Sequence, residues 1–258
     1  MGILNITPDS FSDGGKWFGK SRAIQHAIKM QAAGADIIDI GGESTRPGAE
    51  AVSLQQELDR VIPVIEAITP ELSVPVSIDT SKPEVMRDAV TAGAGMINDV
   101  YALRQHGALQ AAADLSVPVC LMHMLGDPRG MQHEPAYDDV VTEVTGFLLE
   151  RAKQCEIAGI PPQNILLDPG FGFGKTLQHN LDLFHGLPAL VKTGFPVLVG
   201  MSRKAMIGQL TGREVPDRIP GSITAAVLAV QMGASVVRVH DVAETRDALG
   251  VAAALWKD

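Results

Sequence analysis

Polar residues that could bind a ligand end eight short apolar runs along the chain. They are Asn5, Asp39, Asp79, Asn98, His123, Asp168, Ser202 and His240. Carboxylates accept paired N–H bonds and an amide both donates and accepts, so Asp79, Asn98 and Asp168 could hold the polar edge of a planar heterocycle. Arg238, inside the last run, and His240 could donate to phosphate oxygens. These residue types indicate one site with a carboxylate–amide part and a cationic part.

The apolar runs themselves predict parallel β-strands. They cover residues 2–5, 36–39, 75–79, 95–98, 117–123, 164–168, 197–202 and 236–240. Strands that are apolar on both faces and separated by helix-length segments form parallel sheets. Eight strands in about 250 residues match a closed (β/α)8 TIM barrel, whose active site lies where the strands end. We therefore predict an α/β fold in which residues 1–258 form a single TIM-barrel catalytic domain.

Helical spacing of apolar residues fills the segments between these strands. The predicted helices cover residues 21–33, 53–68, 81–93, 103–115, 138–158, 176–192, 221–232 and 242–256. Ser53 is a candidate N-cap, and Pro83 stands in the first turn of the third helix. Three connections, 7–19, 41–51 and 202–220, are longer or richer in glycine than packing requires. We interpret all three as functional loops at the rim and the first two as lids.

Composition favours a soluble cytoplasmic enzyme. A hydrophobic content of 46% is enough for one large core, and no apolar stretch approaches the roughly 18 residues of a membrane span. The chain opens into its first strand without a basic segment and h-region, so no secretion is expected. Cys120 and Cys155 have no metal or redox spacing and are expected to be reduced core residues. The net charge of −9 argues against a nucleic-acid partner.

One segment looks like a phosphate-binding P-loop but does not fit that motif. Residues 170–176 read GFGFGKT and end with the Gly-Lys-Thr of a P-loop. The motif also needs a glycine five positions before its last glycine, and Pro169 occupies that position. No P-loop NTPase is therefore expected.

Seven segments in order along the chain resemble the bacterial dihydropteroate synthase family, which binds pterins. They are residues 5–15 (NITPDSFSDGG), 39–48 (DIGGESTRPG), 77–80 (SIDT), 97–100 (INDV), 168–175 (DPGFGFGK), 200–204 (GMSRK) and 238–242 (RVHDV). The resemblance implies a transferase of folate biosynthesis. It would join 6-hydroxymethyl-7,8-dihydropterin diphosphate to p-aminobenzoate and release pyrophosphate, with Mg²⁺ as cofactor. It also implies a homodimer and a sulfonamide target. Family members usually carry a short segment before the first strand, whereas this chain starts at that strand.

The resemblance assigns the site residue by residue. The pterin would contact Asp79, Asn98, Met122, Asp168 and Lys204. The diphosphate would contact Asn5, Arg46, Arg238 and His240, and Asn5 would be the Mg²⁺ ligand. The p-aminobenzoate would contact Phe11, Thr45, Pro47, Phe173, Ser202 and Lys204. The catalytic residues would be Arg46, Lys204, Arg238 and His240.

The implied reaction needs little acid–base machinery. Mg²⁺, Arg46, Arg238 and His240 can stabilise the negative charge that develops on departing pyrophosphate. The remaining methylene cation is delocalised into the pterin, which favours an SN1-like path with the aromatic amine as nucleophile. We therefore expect no Ser-His-Asp arrangement, and we interpret His123 and His133 as rim or packing residues.

Two alternative functions remain open from the sequence. A barrel methyltransferase that acts on a folate would share the pterin pocket but should lack the diphosphate residues and the Ser-Arg-Lys segment, both of which are present. A non-catalytic pterin-binding paralogue is disfavoured by the intact set of Asn5, Arg46 and Arg238. An assay of pyrophosphate release with both substrates would distinguish these functions.

Overall fold

Eight parallel β-strands alternate with helices in the computed structural model, which describes residues 1–6, 15–44, 48, 51–126 and 130–256. The strands are β1 Gly2–Asn5, β2 Ile38–Gly41, β3 Val76–Asp79, β4 Met96–Asp99, β5 Val119–Met122, β6 Ile165–Asp168, β7 Leu198–Val199 and β8 Val236–Val237. Each of the eight predicted runs overlaps one of them, although β2 and β4 end beyond their runs, at Gly41 and Asp99. No helix of the described residues is long and apolar enough to cross a membrane.

Hydrogen bonds between neighbouring strands close the sheet into a barrel. Strands β1 to β6 pair in sequence order, and β7 pairs with β8. Parallel bridges join Leu167 to Val197 and Gly2 to Val239, which connect the two sheets at both edges. The amide of Ile3 donates to the carbonyl of Val239 at 3.0 Å, so the first and last strands are neighbours. The predicted (β/α)8 TIM barrel is confirmed.

The helices surround this barrel. They are α1 Gly15–Ala32, α2 Leu54–Ile68, α3 Pro83–Thr91, α4 Ala108–Leu115, α5 Val140–Ile157, α6 Leu177–His185, α7 Leu187–Val191, α8 Ala205–Thr211, α9 Ile219–Gln231 and α10 Val242–Leu255. The capping prediction for Ser53 is confirmed, since its hydroxyl accepts from the amide of Gln56 and the side chain of Gln56 accepts from the amide of Ser53. Pro83 is the first residue of α3, as expected.

Four of the predictions between strands are wrong in detail. The helix predicted over 21–33 begins at Gly15, inside the connection 7–19 that was interpreted as a lid. The helix predicted over 103–115 begins at Ala108, because the Asp99 carboxylate draws the chain into a turn in which Ala102 and Leu103 have positive φ. The helix predicted over 176–192 is divided at Gly186, where a Cβ would lie 2.6 Å from a methyl carbon of Val141. The connection 202–220 is not an open loop, since it contains α8 and the 3-10 helix Val215–Arg218.

Two apolar layers hold the strands. The larger lies between the strands and the surrounding helices and includes Ile40, Ile78 and Leu167. A smaller cluster consists of Met1, Met96, Cys120 and Leu198. Because side chains alternate along a strand, Met96 and Cys120 share a face with Asn98 and Met122, two residues further on. The small cluster is therefore the apolar floor beneath the polar strand ends. Cys120 and Cys155 are buried free thiols, as predicted.

Candidate functional site

The strand register brings the predicted pterin residues to one end of the barrel. Asp79 is the register partner of Asn98 in the next strand. Met122 is the partner of Asp168 across the following pair of strands. Asn98, Met122 and Asp168 are each at most 6% exposed. Two carboxylates, an amide and a thioether thus end four neighbouring strands within a sheltered mouth.

Arg238 bridges two carboxylates at this mouth. Its Nε donates to Oδ2 of Asp39 at 2.6 Å, and its Nη2 donates to Oδ2 of Asp79 at 2.8 Å. Burial would lower the pKa of Arg238, but the two carboxylates outweigh that effect and raise it. Burial raises the pKa of Asp79 to about 7, against the influence of Arg238. The guanidinium of Arg238 therefore belongs to the carboxylate part of the site, and a fifth of the side chain is exposed.

Asp39 is a member of the site to which the sequence assigned no role. Its Oδ2 also accepts from Nδ2 of Asn98 at 3.2 Å, so one oxygen serves both Asn98 and Arg238. The other oxygen, Oδ1, is buried and has no hydrogen-bond partner among the described residues. The sequence marked Asp39 only as the end of an apolar run, whereas in the structure strand β2 continues past it to Gly41.

A second group of contacts joins Asp168 to Lys204. Oδ1 of Asp168 accepts from the amide of Gly170 at 2.7 Å, and burial raises the pKa of Asp168. Nζ of Lys204 donates to the carbonyl of Phe171 and lies 4.5 Å from the ring centroid of Phe173. Burial lowers the pKa of Lys204 to about 8, although Asp168 acts in the opposite direction. Lys204 and Phe173, which the resemblance assigns to the p-aminobenzoate contacts, are therefore neighbours.

Ser202 and His240 contact each other after the last two strands. Ser202 Oγ lies 3.0 Å from Nδ1 of His240 and accepts from the amide of His240 at 3.1 Å. Both carboxylate oxygens of the neighbouring Asp241 bind the guanidinium of Arg203. Asp241 therefore forms an ion pair with Arg203. It does not serve as the acid of a catalytic triad with Ser202 and His240.

Asn5 and His240, two of the predicted diphosphate residues, lie where the barrel closes. Asn5 ends β1, and His240 directly follows Val239, the residue that bridges to β1. Arg46 lies outside the described residues, as do three of the predicted p-aminobenzoate contacts, Phe11, Thr45 and Pro47. Of the two loops interpreted as lids, residues 7–14 of the first and residues 45–47, 49 and 50 of the second also lie outside them.

His123 is a packing residue, as predicted. It is buried, and its ring makes an edge contact with Phe147 at a centroid distance of 5.0 Å. Burial lowers its pKa to about 3, and the nearby Lys175 and Arg104 act in the same direction. His133, by contrast, is exposed. Neither needs a role in the chemistry of the site.

An ion cluster beside the site joins the segments that follow strands β2 and β3 to helix α2. Nζ of Lys82 contacts the carboxylates of both Glu43 and Glu57, and Glu57 also accepts from Oγ1 of Thr80 at 2.6 Å. Oε1 of Glu43 accepts from the amide of Val52 at 3.2 Å, which joins the two ends of the loop after β2. The cluster therefore links β2, α2 and the start of α3 beside Asp79.

The variant Lys82→Met should lose about 3 kcal/mol of unfolding free energy, because it leaves the fully buried Glu57 without its cation. Chemical denaturation followed by circular dichroism would measure the loss. Arg87→Met is the matched control, since Arg87 pairs with Asp114 at an exposed position and should cost at most about 1 kcal/mol. Equal losses in the two variants would contradict the role of the cluster.

Among the described residues, no group of three or more His, Cys, Asp or Glu side chains could hold a metal ion. The amide oxygen of Asn5, partly exposed at the end of β1, is a donor suited to Mg²⁺.

Comparisons with known proteins agree on one family. The family described as pterin binding enzyme matches residues 1–240. Dihydropteroate synthase of Escherichia coli K12 is 54% identical over 251 residues, which cover 97% of this chain and 89% of that protein. Among solved structures, Xanthomonas albilineans dihydropteroate synthase with 4-aminobenzoic acid is 57% identical with a TM-score of 0.94, covering 99% of this chain and 92% of that one. The Yersinia pestis enzyme with a sulfonamide drug complex is 52% identical with a TM-score of 0.94, covering 98% and 92%.

Proposed function

This chain belongs to the pterin-binding enzyme family and, within it, to the dihydropteroate synthases, and from that premise we propose how its residues carry out the reaction. The protein is a transferase. It condenses 6-hydroxymethyl-7,8-dihydropterin diphosphate with p-aminobenzoate to give 7,8-dihydropteroate and pyrophosphate. The residue roles, the metal, the assembly and the location below are our proposals.

The observation that carries the proposed pterin site is the convergence of Asp79, Asn98 and Asp168. A pterin presents an amino group and ring N–H groups along one edge, and carboxylates accept such donors in pairs. Asn98 is oriented by Asp39, so its amide oxygen is left for a ligand donor. Lys204 would donate to the carbonyl side of the ring, and Met122 would offer a polarizable surface to its face.

Arg238 would connect the pterin part of the site to the diphosphate part. Two of its N–H groups hold Asp39 and Asp79, and the rest of the guanidinium fork is left for phosphate oxygens. His240, Asn5 and Arg46 would complete the diphosphate site. These groups would stabilise the negative charge on departing pyrophosphate, which is the main demand of an SN1-like displacement.

Among the proposed diphosphate residues, Asn5 is the one that could bind Mg²⁺. The ion typically takes one or two protein ligands and completes its shell with phosphate and water, and Asn5 could supply such a ligand. When bound, the ion would neutralise charge on the diphosphate. Asn5 would hold it at the edge where β1 meets the end of β8, beside the proposed phosphate donors.

The proposed p-aminobenzoate site would lie between Phe173, Ser202 and Lys204, and the resemblance assigns Phe11, Thr45 and Pro47 to it as well. Support comes from the Xanthomonas albilineans relative, which binds 4-aminobenzoic acid. The ammonium of Lys204 near the Phe173 ring defines an aromatic wall with a cation beside it. Sulfonamides, one of which is in complex with the Yersinia pestis relative, would occupy the same position.

The ionisation of Asp79 and Lys204 should give a bell-shaped pH dependence of kcat/KM for the pterin diphosphate. Burial raises the pKa of Asp79 to about 7, so at lower pH it is protonated and accepts fewer N–H bonds. Burial lowers the pKa of Lys204 to about 8, so above that pH the donor loses its charge. Rates should therefore rise through pH of about 7 and fall beyond about 8, since this ratio reports groups of the free enzyme.

Two variants identify the limbs of this profile in the same steady-state assay. Asp79→Asn should lose the acid limb, and Lys204→Gln should lose the alkaline limb. The ionisation of the substrate is the same in all three proteins and cancels in the comparison. If either variant retains the limb assigned to it, that assignment is wrong.

The decisive functional test is release of pyrophosphate from the pterin diphosphate in the presence of p-aminobenzoate. The transferase should release it only when both substrates are present and should form dihydropteroate in equal amount. A protein that binds the pterin without release would be a non-catalytic paralogue, and transfer of a methyl group to or from a folate would indicate the methyltransferase alternative.

We also propose a cytoplasmic homodimer. Apolar side chains are exposed on two adjacent helices, namely Leu228 on α9 and Val251 and Leu255 on α10, and these could pack against a second copy. The free thiols Cys120 and Cys155 fit a reducing compartment.

A further inference from the structure

The glycine-rich loop, residues 170–175, is held by side chains along its whole length. Every one of its six backbone carbonyls accepts a hydrogen bond from a side chain of the protein. The donors, in order from carbonyl 170 to carbonyl 175, are Lys175, Lys204, Gln132, Lys175 again, Tyr137 and Asn180. A segment without helix or strand partners is thereby given a fixed shape.

Glycine makes this shape possible. Gly170, Gly172 and Gly174 all have positive φ, between 63° and 80°. A Cβ at Gly170 would lie 1.9 Å from the carbonyl oxygen of His123, and one at Gly174 would lie 2.7 Å from Cβ of Leu125. The loop therefore packs directly against the backbone that follows β5, and its carbonyls turn toward the side chains around it.

Lys175 is the centre of these contacts. Its Nζ donates to the carbonyls of Gly170 and Phe173 at 3.0 and 3.1 Å and lies 3.0 Å from Nδ1 of His123. The side chain is only 3% exposed. An ammonium has three N–H donors, and three acceptors surround this one. His123 has a pKa of about 3, lowered mainly by burial, so it is neutral and can accept through Nδ1.

The opposite side of the same loop faces the proposed substrate site. The amide of Gly170 donates to Asp168, and the carbonyl of Phe171 accepts from Nζ of Lys204. The ring of Phe173 lies against that same Nζ. Two lysines thus bind successive carbonyls of one loop, Lys204 from the site and Lys175 from the interior.

We propose that Lys175 is a positioning residue for p-aminobenzoate: by donating to the carbonyls of Gly170 and Phe173, its buried amino group fixes the glycine-rich loop so that Phe173 and Lys204 are held in place for the second substrate. The inference rests on the roles proposed above for Phe173 and Lys204. Burial lowers the pKa of Lys175 to about 7, with Lys204 acting in the same direction and Asp168 against it. Burying a lysine costs free energy that an apolar side chain in the same space would not cost. A lysine at this position is therefore consistent with a role for its hydrogen bonds to the loop.

Lys175→Met tests the proposal, because methionine keeps much of the stem and removes all three donors. Steady-state kinetics by pyrophosphate release should show the KM for p-aminobenzoate raised at least tenfold. The KM for the pterin diphosphate should rise by a smaller factor, because Lys204 contacts both substrates whereas Asp168 is still held by strand β6. The kcat should fall less than the KM for p-aminobenzoate rises.

Two controls separate positioning from stability. Ile65→Ala removes a fully buried side chain on α2, away from this loop, and should destabilise the fold without altering either KM. Lys153→Met removes an exposed lysine on α5 and should change nothing. A KM for p-aminobenzoate within twofold of the parent in folded Lys175→Met, or an equal rise in Ile65→Ala, would overturn the proposal.

Milder variants cover the remaining outcomes. If Lys175→Met does not fold, Tyr137→Phe tests the proposal instead. This variant removes only the hydrogen bond to the carbonyl of Gly174 and should raise the KM for p-aminobenzoate two- to threefold. An unchanged KM would overturn the proposal.

Phe173→Ala distinguishes the inference from the proposed role of Phe173 on which it rests. An unchanged KM there would refute the role of Phe173 itself. A raised KM in Phe173→Ala together with an unchanged KM in Lys175→Met would refute only the role of Lys175.

Discussion

Asp168→Asn is expected to weaken binding of the pterin diphosphate between tenfold and several thousandfold. Each charge-assisted hydrogen bond that is lost costs about 1.5–3 kcal/mol, and a pterin edge would make one or two with this carboxylate. The loss occurs in a buried setting, since Asp168 is 6% exposed and its charge is balanced by Lys204. The effect should therefore appear in substrate affinity before it appears in turnover.

The fold should tolerate this change. An asparagine oxygen can still accept from the amide of Gly170, which now binds Oδ1 of Asp168 at 2.7 Å. Calorimetry with the pterin diphosphate would measure the affinity, and thermal unfolding would verify the fold. Asp182→Asn is the matched control, an exposed carboxylate on α6 that should leave affinity unchanged. Affinity within threefold of the parent in folded Asp168→Asn would remove Asp168 from the site.

Arg238→Lys should lower kcat by a few hundredfold, and it should raise KM by a smaller factor. Losing one preorganised donor to a developing negative charge typically costs roughly 3–4 kcal/mol of transition-state stabilisation. Lysine keeps the charge but has one nitrogen, whereas Arg238 uses Nε for Asp39 and Nη2 for Asp79. The variant therefore cannot hold both carboxylates and still present a fork to the leaving pyrophosphate.

Steady-state kinetics with separate determination of kcat and KM would test this prediction. Arg246→Lys is the control, because Arg246 is an exposed arginine whose contact with Asp36 is 3.4 Å long. Asp39→Asn offers a second comparison, since it keeps the guanidinium and removes the charge that orients it. If Arg238→Lys turns over normally at a raised KM, Arg238 only tethers the substrate, and stabilisation of pyrophosphate must come from the remaining diphosphate residues.

The location of the site could be predicted because it depends on a local pattern. Strands buried on both faces stand out as short apolar runs, and a parallel barrel places all their carboxyl ends at one mouth. The residues at those ends, including Asp79, Asn98 and Asp168, then converge whatever the details of packing. The short helix α8 was not predicted, because it has only seven residues and contains Gly208, so its periodic signal is weak.

Which charges meet was decided only by the tertiary structure. Arg238 and Asp39 are 199 positions apart, and their contact exists because β8 and β2 are both neighbours of β1 in the closed barrel. The sequence showed a Gly-Lys-Thr ending, but only the packed loop places the ammonium of Lys175 against three acceptors. Hydrophobic periodicity is a property of neighbouring residues, whereas the partner of a buried charge is set by chain closure, which the pattern along the sequence does not contain.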